Sequence, residues 1–195
     1  MIKRMELNEE EMMQEVENID KNSEEAPKSF NEQNCLTPNT KLIIVGTITP
    51  SEGCRNGYFY TARYNRIYGY IDQAIGTNLK EKKLALADGK NNADIVSEII
   101  KILKDNKIAF LDVMKQVIRP QNSYEDDKIR CYLLDTDSFN NIDESVTIIC
   151  NSKLAEEGYI KICNHLGRNS KHVFLSQRSG KKAEWLDTIK SCLKY

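Results

Sequence analysis

The stretch Lys41–Ile71, KLIIVGTITPSEGCRNGYFYTARYNRIYGYI, decides the fold of this 195-residue chain. Its run Leu42–Val45 is apolar and rich in β-branched residues, which predicts a strand that is covered on both faces. Glycines and a proline break the chain after Gly46, and from Tyr64 apolar residues recur at helical spacing, with Thr61 as the predicted N-cap. Ligands of open parallel sheets bind beyond the carboxyl ends of the strands. The loop after this strand is therefore the first candidate for a functional site.

The alternation of strand and helix continues along the chain. Further strands are predicted at Ile108–Val113, Val146–Cys150 and His172–Leu175, with amphipathic segments between them and a last helix at Ala183–Leu193. This order predicts an α/β fold, a three-layer α/β/α sandwich with a four-stranded, mostly parallel sheet.

Three segments show weaker patterns. Thr77–Asn92 is rich in Lys, Gly and Asn and is predicted to be an exposed connection. We interpret Met114–Ser145 as a loop followed by one short helix near Asp126–Leu134. Residues 1–34 carry ten acids and four bases, and we expect them to form an acidic, largely disordered or helical extension of a domain at residues 35–195.

Composition narrows the classes of function. No apolar run approaches the roughly 20 residues of a membrane span, and no signal peptide is visible, so we expect a cytoplasmic monomer without membrane contact. The six cysteines contain no C-x-x-C pair, and two histidines are too few for a His-based metal site, so we expect neither metal nor cofactor. Residues 35–195 carry a net charge of +5, which suits a nucleic-acid partner as well as an ordinary solvated lysine surface.

The turn GTITPS (Gly46–Ser51) and the segment YFYTARYNRIYGYI (Tyr58–Ile71) resemble the uracil-DNA glycosylase superfamily, above all its hypoxanthine-DNA glycosylase branch. Two weaker resemblances follow: IAFLDVMKQVIRPQNSYEDDKI (Ile108–Ile129) is similar to the second strand of that branch, and HVFLSQRSG (His172–Gly180) to its last strand and DNA-contacting loop. The resemblance implies a DNA glycosylase that hydrolyses the N-glycosidic bond of a deaminated base, uracil or hypoxanthine.

The resemblance also implies a set of site residues. Asn65 would be the catalytic residue, with its amide orienting the attacking water; the alternative is a helix-start Asn that satisfies its own backbone. The implied base-binding residues are Gly46, Thr47, Pro50, Ser51, Phe59, Tyr60 and Asp112. The implied DNA-binding residues are Ser176, Gln177, Arg178, Ser179 and Lys181. Asp126 and Asp127 match the family pattern as well, and we interpret them as structural residues at a helix N-terminus.

Two departures from the family pattern keep a second hypothesis open. GTITPS has one residue more between Thr and Pro than the pattern G-S-x-P-S, and the last loop has no proline among its serines. The alternative is a catalytically inactive protein on the same fold that binds nucleic acid or a nucleotide. A small-molecule hydrolase or transferase is a third class, but the chain lacks G-x-G-x-x-G, G-x-x-x-x-G-K-[ST] and G-x-S-x-G.

Overall fold

The computed structural model describes residues 4–90, 92–123, 125–177 and 181–193. The strands in these residues are β1 (Met5–Glu6), β2 (Glu24–Glu25), β3 (Leu42–Gly46), β4 (Ile108–Asp112), β5 (Met114–Pro120), β6 (Cys131–Leu134), β7 (Thr147–Cys150) and β8 (Val173–Phe174). The α-helices are α1 (Glu9–Glu17), α2 (Ser51–Asn56), α3 (Ile67–Ile75), α4 (Leu79–Ala87), α5 (Asn92–Asp105), α6 (Lys153–His165) and α7 (Lys182–Leu193).

The main sheet contains the four strands that the sequence predicts, in the order β4-β3-β7-β8, and all of its pairs are parallel. Every residue of the central strand β3 is buried. Leu42 pairs with Ile108 of β4 on one side and with Thr147 of β7 on the other. A continuous apolar run is what such a strand needs, because helices cover both faces of the sheet.

Helices lie on both sides of the main sheet. The connection from β3 to β4 and the connection from β7 to β8 run in opposite directions across the sheet, so right-handed crossovers place α3–α5 and α6 on opposite faces. Helix α7 contacts α3 and β3, which puts it on the face of α3. The predicted α/β sandwich is confirmed.

A second, mixed sheet in the order β1-β6-β5-β2 lies beyond the predicted architecture. Its strands β5 and β6 occupy the segment that we interpreted as a loop with a helix near Asp126–Leu134. That interpretation is wrong, because Asp126–Lys128 forms a single 3₁₀ turn and β6 follows it. The polar residues Gln116 and Arg119 of β5 hide its strand pattern, since both bind groups of the N-terminal segment.

Residues 4–34, which we expected to form a largely disordered or helical extension, contain the helix α1 and add two strands to this second sheet. Strand β1 pairs with β6 and β2 with β5, while Met12 of α1 is 1% exposed and packs against Ile118 and Cys131. Asn31 donates an amide hydrogen to the carbonyl of Asp112 at 2.7 Å and accepts the Asp112 N–H at 2.8 Å. These contacts tie the segment directly to the end of β4.

The region after β3 differs from the prediction at two places. Helix α3 begins at Ile67, and Thr61 is not its N-cap, because its buried hydroxyl donates to the carbonyl of Tyr58 at 2.7 Å. The segment Thr77–Asn92, expected to be an exposed connection, contains α4. The inward position of Lys83 breaks the apolar stripe of that helix, which is why the sequence pattern did not reveal it.

Candidate functional site

A cavity of about 470 Å³ opens at the carboxyl ends of β3, β7 and β8, and we call it the carboxyl-edge cavity. The residues that line it include Arg4, Asp126, Asn151, Ser152, Phe174 and Ser176. Thr47, the first residue after β3, joins two sides of this region, because its Oγ1 lies 2.8 Å from Ser152 Oγ and 2.8 Å from Asp126 Oδ2. The predicted base-binding residue Thr47 thus supports the cavity wall.

Asp126 supplies a carboxyl group to the carboxyl-edge cavity. It accepts the hydroxyl hydrogen of Thr47 and lies in the 3₁₀ turn that follows β5. Burial raises the pKa of Asp126 above its usual range, while hydrogen bonds from Thr47 and Ser152 oppose that rise. We expected a purely structural residue at a helix N-terminus, whereas the structure places this carboxyl on the wall of a cavity.

A second buried carboxyl group, that of Asp112, lies under the backbone of Gly46. A Cβ atom on Gly46 would lie 2.6 Å from Asp112 Oδ1 and 2.7 Å from the Tyr60 hydroxyl oxygen. The Thr49 hydroxyl donates to Asp112 Oδ2 at 3.1 Å, and burial raises the pKa of Asp112 to about 7. We call this closed group of Gly46, Thr49, Tyr60 and Asp112 the Gly46 floor. It brings three predicted base-binding residues together without giving a ligand access to them.

Hydrogen bonds to the N-terminal segment stabilise the turn after β3. Glu25 of β2 accepts hydrogen bonds from the Ser51 hydroxyl and, at 2.7 Å, from Nε of Arg119. Arg119 is 3% exposed and also donates to the carbonyl of Thr49 at 3.2 Å. Pro50 is half-buried at the start of α2. The predicted base-binding residues Pro50 and Ser51 therefore hold the shape of the turn.

Phe59 and Tyr60, expected to stack on a base, are enclosed in the core. Phe59 has no exposed surface and packs edge-on against Tyr58 and Phe110. Tyr60 is 6% exposed and has a positive φ of 55°, which turns its ring under Gly46. Neither ring presents a face to a base, so both rings contribute to the packing of the core.

Other aromatic rings are exposed at this end of the molecule. Phe174 of β8 lines the carboxyl-edge cavity and is 41% exposed. Tyr64, which we assigned to the buried stripe of a helix, is 88% exposed and precedes Asn65. The sequence signal for Phe174 is weak, because a two-residue edge strand is too short to show alternation.

Asn65 lies in the segment that leads into α3. Its Oδ1 accepts the N–H of Ile67 at 2.9 Å, which is the local bond that the structural alternative predicts. Gln177 of the last loop accepts the N–H of Arg66 at 3.3 Å through its Oε1. The predicted catalytic residue and the predicted DNA-contacting loop are therefore neighbours, although they are more than a hundred residues apart in the chain.

The side chain of Lys83 anchors the segment that carries Asn65. Its ammonium group donates to the carbonyls of Arg63 at 2.7 Å and of Asn65 at 2.8 Å, and the residue is 3% exposed. Burial lowers the pKa of Lys83, and the nearby charges of Lys80 and Arg63 lower it further. This contact links α4 to the candidate site.

The remaining residues of the last loop are placed unevenly. Ser176 lines the carboxyl-edge cavity, and its carbonyl accepts the indole N–H of Trp185 at 3.1 Å. The exposed ammonium of Lys181 pairs with Glu184 at 2.6 Å. Arg178 and Ser179 lie outside the described residues.

No sequence pattern identified Arg4 as a site residue. It comes from the N-terminal segment, which we expected to lie apart from the domain, and it lines the carboxyl-edge cavity. Its Nε atom is buried and has no hydrogen-bond partner among the residues that the structure describes. Asp126 and Phe174 join Arg4 as cavity residues that only the tertiary structure identifies.

The described part of the chain contains neither a cluster of metal-ligating side chains nor a membrane-spanning helix. No three His, Cys, Asp or Glu side chains there are grouped as metal ligands would be. None of the helices found there is long and apolar enough to cross a membrane.

Comparisons with known proteins support the fold. No protein-family model matches the chain, and no curated protein matches it. A solved structure that is similar is the solution NMR structure of a provisionally assigned uracil DNA glycosylase from Methanosarcina acetivorans. The TM-score is 0.61 at 20% sequence identity, over 86% of this chain and 99% of that chain. At this level of identity the likeness shows a shared α/β fold.

Proposed function

We propose that this chain is a DNA glycosylase that hydrolyses the N-glycosidic bond of a deaminated base, uracil or hypoxanthine. The observation that carries the proposal is the carboxyl-edge cavity, which combines the half-buried carboxyl of Asp126 with the exposed ring of Phe174 on a glycosylase-like fold. Its volume of about 470 Å³ falls within the range of about 300–1,000 Å³ that is usual for small-ligand pockets. An extruded base is a ligand of that size.

The proposed reaction uses one water molecule. The bond between C1′ of the sugar and the base nitrogen breaks, and its electron pair leaves with the base. Water adds to C1′ and gives its proton to Asp126, while the Asn65 amide orients the water. An amide cannot accept that proton at neutral pH, whereas a carboxylate with a raised pKa can, so the two residues have separate tasks.

Phe174 takes the stacking role that we first assigned to Phe59 and Tyr60. Its exposed ring and the carboxyl of Asp126 both line the cavity, and stacking of a base on an aromatic ring contributes roughly 1–3 kcal/mol. The segment Tyr64–Tyr68, in which Asn65 stands between two tyrosines, favours the hypoxanthine branch. We further propose that the protein acts on DNA as a cytoplasmic monomer, without metal or cofactor, because hydrolysis of this bond requires neither.

A base-excision assay tests the proposal. Labelled oligonucleotides with uracil, hypoxanthine or a normal base are incubated with protein, and alkali then cuts the abasic sites. We expect cleavage at one damaged base, a loss of roughly 10²–10⁴-fold in rate for Asp126→Asn, and a clear loss for Asn65→Ala. Asp143→Asn, which changes an exposed carboxylate that does not line the cavity, is the matched control and should keep the parent rate. Cleavage that persists in both Asp126→Asn and Asn65→Ala would show that neither residue has the catalytic role assigned to it.

The second candidate function is a catalytically inactive protein on the same fold that binds nucleic acid or a nucleotide. The bond from Ile67 N–H to Asn65 Oδ1 favours it, because that oxygen already has a structural partner. This alternative predicts salt-dependent DNA binding without any base release. The base-excision assay, combined with a filter-binding measurement of DNA affinity, separates the two candidate functions.

A further inference from the structure

Arg4 has a fixed backbone and an unsatisfied side chain. The next residue, Met5, donates its N–H to the carbonyl of Arg130 at 3.0 Å and starts the parallel pairing of β1 with β6. The Nε atom of Arg4 is buried without a partner among the described residues. Buried polar groups in proteins are nearly always hydrogen-bonded, so the guanidinium of Arg4 is not fully satisfied by the protein at the cavity that this residue lines.

The surroundings of Arg4 leave its charge available. Its positive charge helps to hold the pKa of Asp126 down against the effect of burial, so the two groups face the same space. Arg4 acts on Asp126 as a nearby charge, whereas the hydrogen bonds to this carboxyl come from Thr47 and Ser152. The cavity therefore holds a cation and a carboxyl that do not neutralise each other by direct contact.

We propose that Arg4 binds an anionic oxygen of the ligand in the carboxyl-edge cavity, so that the N-terminal segment completes the site. A guanidinium presents parallel N–H donors that match a phosphate or a deprotonated base carbonyl in a bidentate manner. The inference rests on the proposed function in taking a nucleotide as the ligand. The anion site at Arg4 itself requires only that the ligand carry a negative charge.

Two sources can supply that oxygen, and they predict different results. If Arg4 holds a phosphate next to the extruded nucleotide, it contributes to affinity before any chemistry occurs. If it holds the departing base, it stabilises negative charge that develops only as the C1′–N bond breaks. The shared chemistry is one anionic oxygen at the guanidinium.

The test compares Arg4→Gln with Arg55→Gln, which removes the same charge from an exposed arginine bonded to Asn122 outside the cavity. Deoxyuridine monophosphate and uncharged deoxyuridine are titrated into the full chain by NMR, and DNA affinity is measured at several salt concentrations. Binding of phosphate predicts that Arg4→Gln weakens monophosphate binding about tenfold, leaves deoxyuridine unaffected and lowers the salt slope for DNA by about one. Binding of the departing base predicts unchanged affinities and a kcat at least tenfold lower.

The controls keep this inference separate from the proposed glycosylase activity. Arg4→Lys keeps the charge but loses the bidentate geometry, and should fall between the parent and Arg4→Gln. If the parent releases no base but Arg4→Gln still loses monophosphate binding, the anion site stands and the glycosylase proposal fails. If monophosphate affinity, salt slope and kcat of folded Arg4→Gln all equal those of Arg55→Gln, Arg4 has no such role.

Discussion

Two carboxyl groups at the same edge of the parallel sheet lie in opposite surroundings. Asp112 ends β4 and is closed off in the Gly46 floor, where it is 1% exposed. Asp126 lies on the wall of the carboxyl-edge cavity. Burial raises the pKa of both groups, so a raised pKa alone does not distinguish a structural carboxyl from a functional one. Access from the cavity does distinguish them, and it favours Asp126 as the functional carboxyl.

The largest expected effect concerns the Gly46 floor and pH. The pKa of Asp112 is raised to about 7 in the folded state, so its contribution to stability is complete below the unfolded pKa of about 3.9 and is lost as pH rises to about 7. Asp112→Asn cannot ionise. Its stability relative to the parent should therefore rise between pH 4 and pH 7, by roughly 1.4 kcal/mol for each pH unit.

Urea unfolding of both proteins at pH 4.5, 6 and 7.5 measures this difference. Asp143→Asn is the control, because hydrogen bonds from Ser145 lower the pKa of that exposed carboxyl, so its stability relative to the parent should stay constant over this pH range. A constant difference between Asp112→Asn and the parent across this range would show that Asp112 is not buried in the way described.

The next effect tests how closely the Gly46 floor is packed. Gly46→Ala would place a Cβ atom against Asp112 and Tyr60, and overpacking of this kind costs about 1–3 kcal/mol. Gly69→Ala is the matched control, because the nearest atom to its added Cβ is Lys80 Cδ at 3.7 Å and its position is inside α3. We expect Gly69→Ala to be neutral or stabilising by about 0.5–1 kcal/mol. Equal free energies of unfolding for the two variants would contradict the close contact.

A smaller, local effect is expected at the segment that carries Asn65. Lys83→Met removes the donor to the carbonyls of Arg63 and Asn65, which should make local opening easier by about 1 kcal/mol. Tryptic cleavage after the exposed Arg63 and Arg66 should then accelerate several-fold. Lys80→Met changes an exposed lysine of the same helix and should leave the cleavage rate unchanged. Equal cleavage of both variants would mean that Lys83 does not anchor the segment.

The main sheet was predictable because its signal is local. Apolar runs such as Leu42–Val45 are buried on both faces, so consecutive apolar residues in the sequence indicate the burial of the strand. The second sheet was not predictable from local patterns, because Arg119 and Gln116 bind partners almost a hundred residues away in the chain. The acids of the N-terminal segment suggested disorder, yet Glu15 and Glu24 pair with Arg130. Pairing between distant residues leaves no periodic pattern.

The ends of the strands could be predicted from the sequence, whereas the surroundings of the side chains at those ends could not. The sequence correctly brings Gly46, Tyr60 and Asp112 to the edge of the sheet, since strand ends are local features. Whether a side chain there is open or closed depends on what the N-terminal segment and the loop before β6 cover. That is why Phe174 and Asp126 are open to the cavity while Phe59 and Asp112 are not.

The comparison of the two carboxyls is tested most directly by single-turnover excision of uracil and hypoxanthine at pH 7.5 with the parent, Asp126→Asn and Asp112→Asn. We predict that the parent releases one of these bases, that Asp126→Asn slows release at least 100-fold, and that Asp112→Asn stays within about tenfold of the parent rate. Release that is abolished by Asp112→Asn and unaffected by Asp126→Asn would place the chemistry in the Gly46 floor and contradict the account.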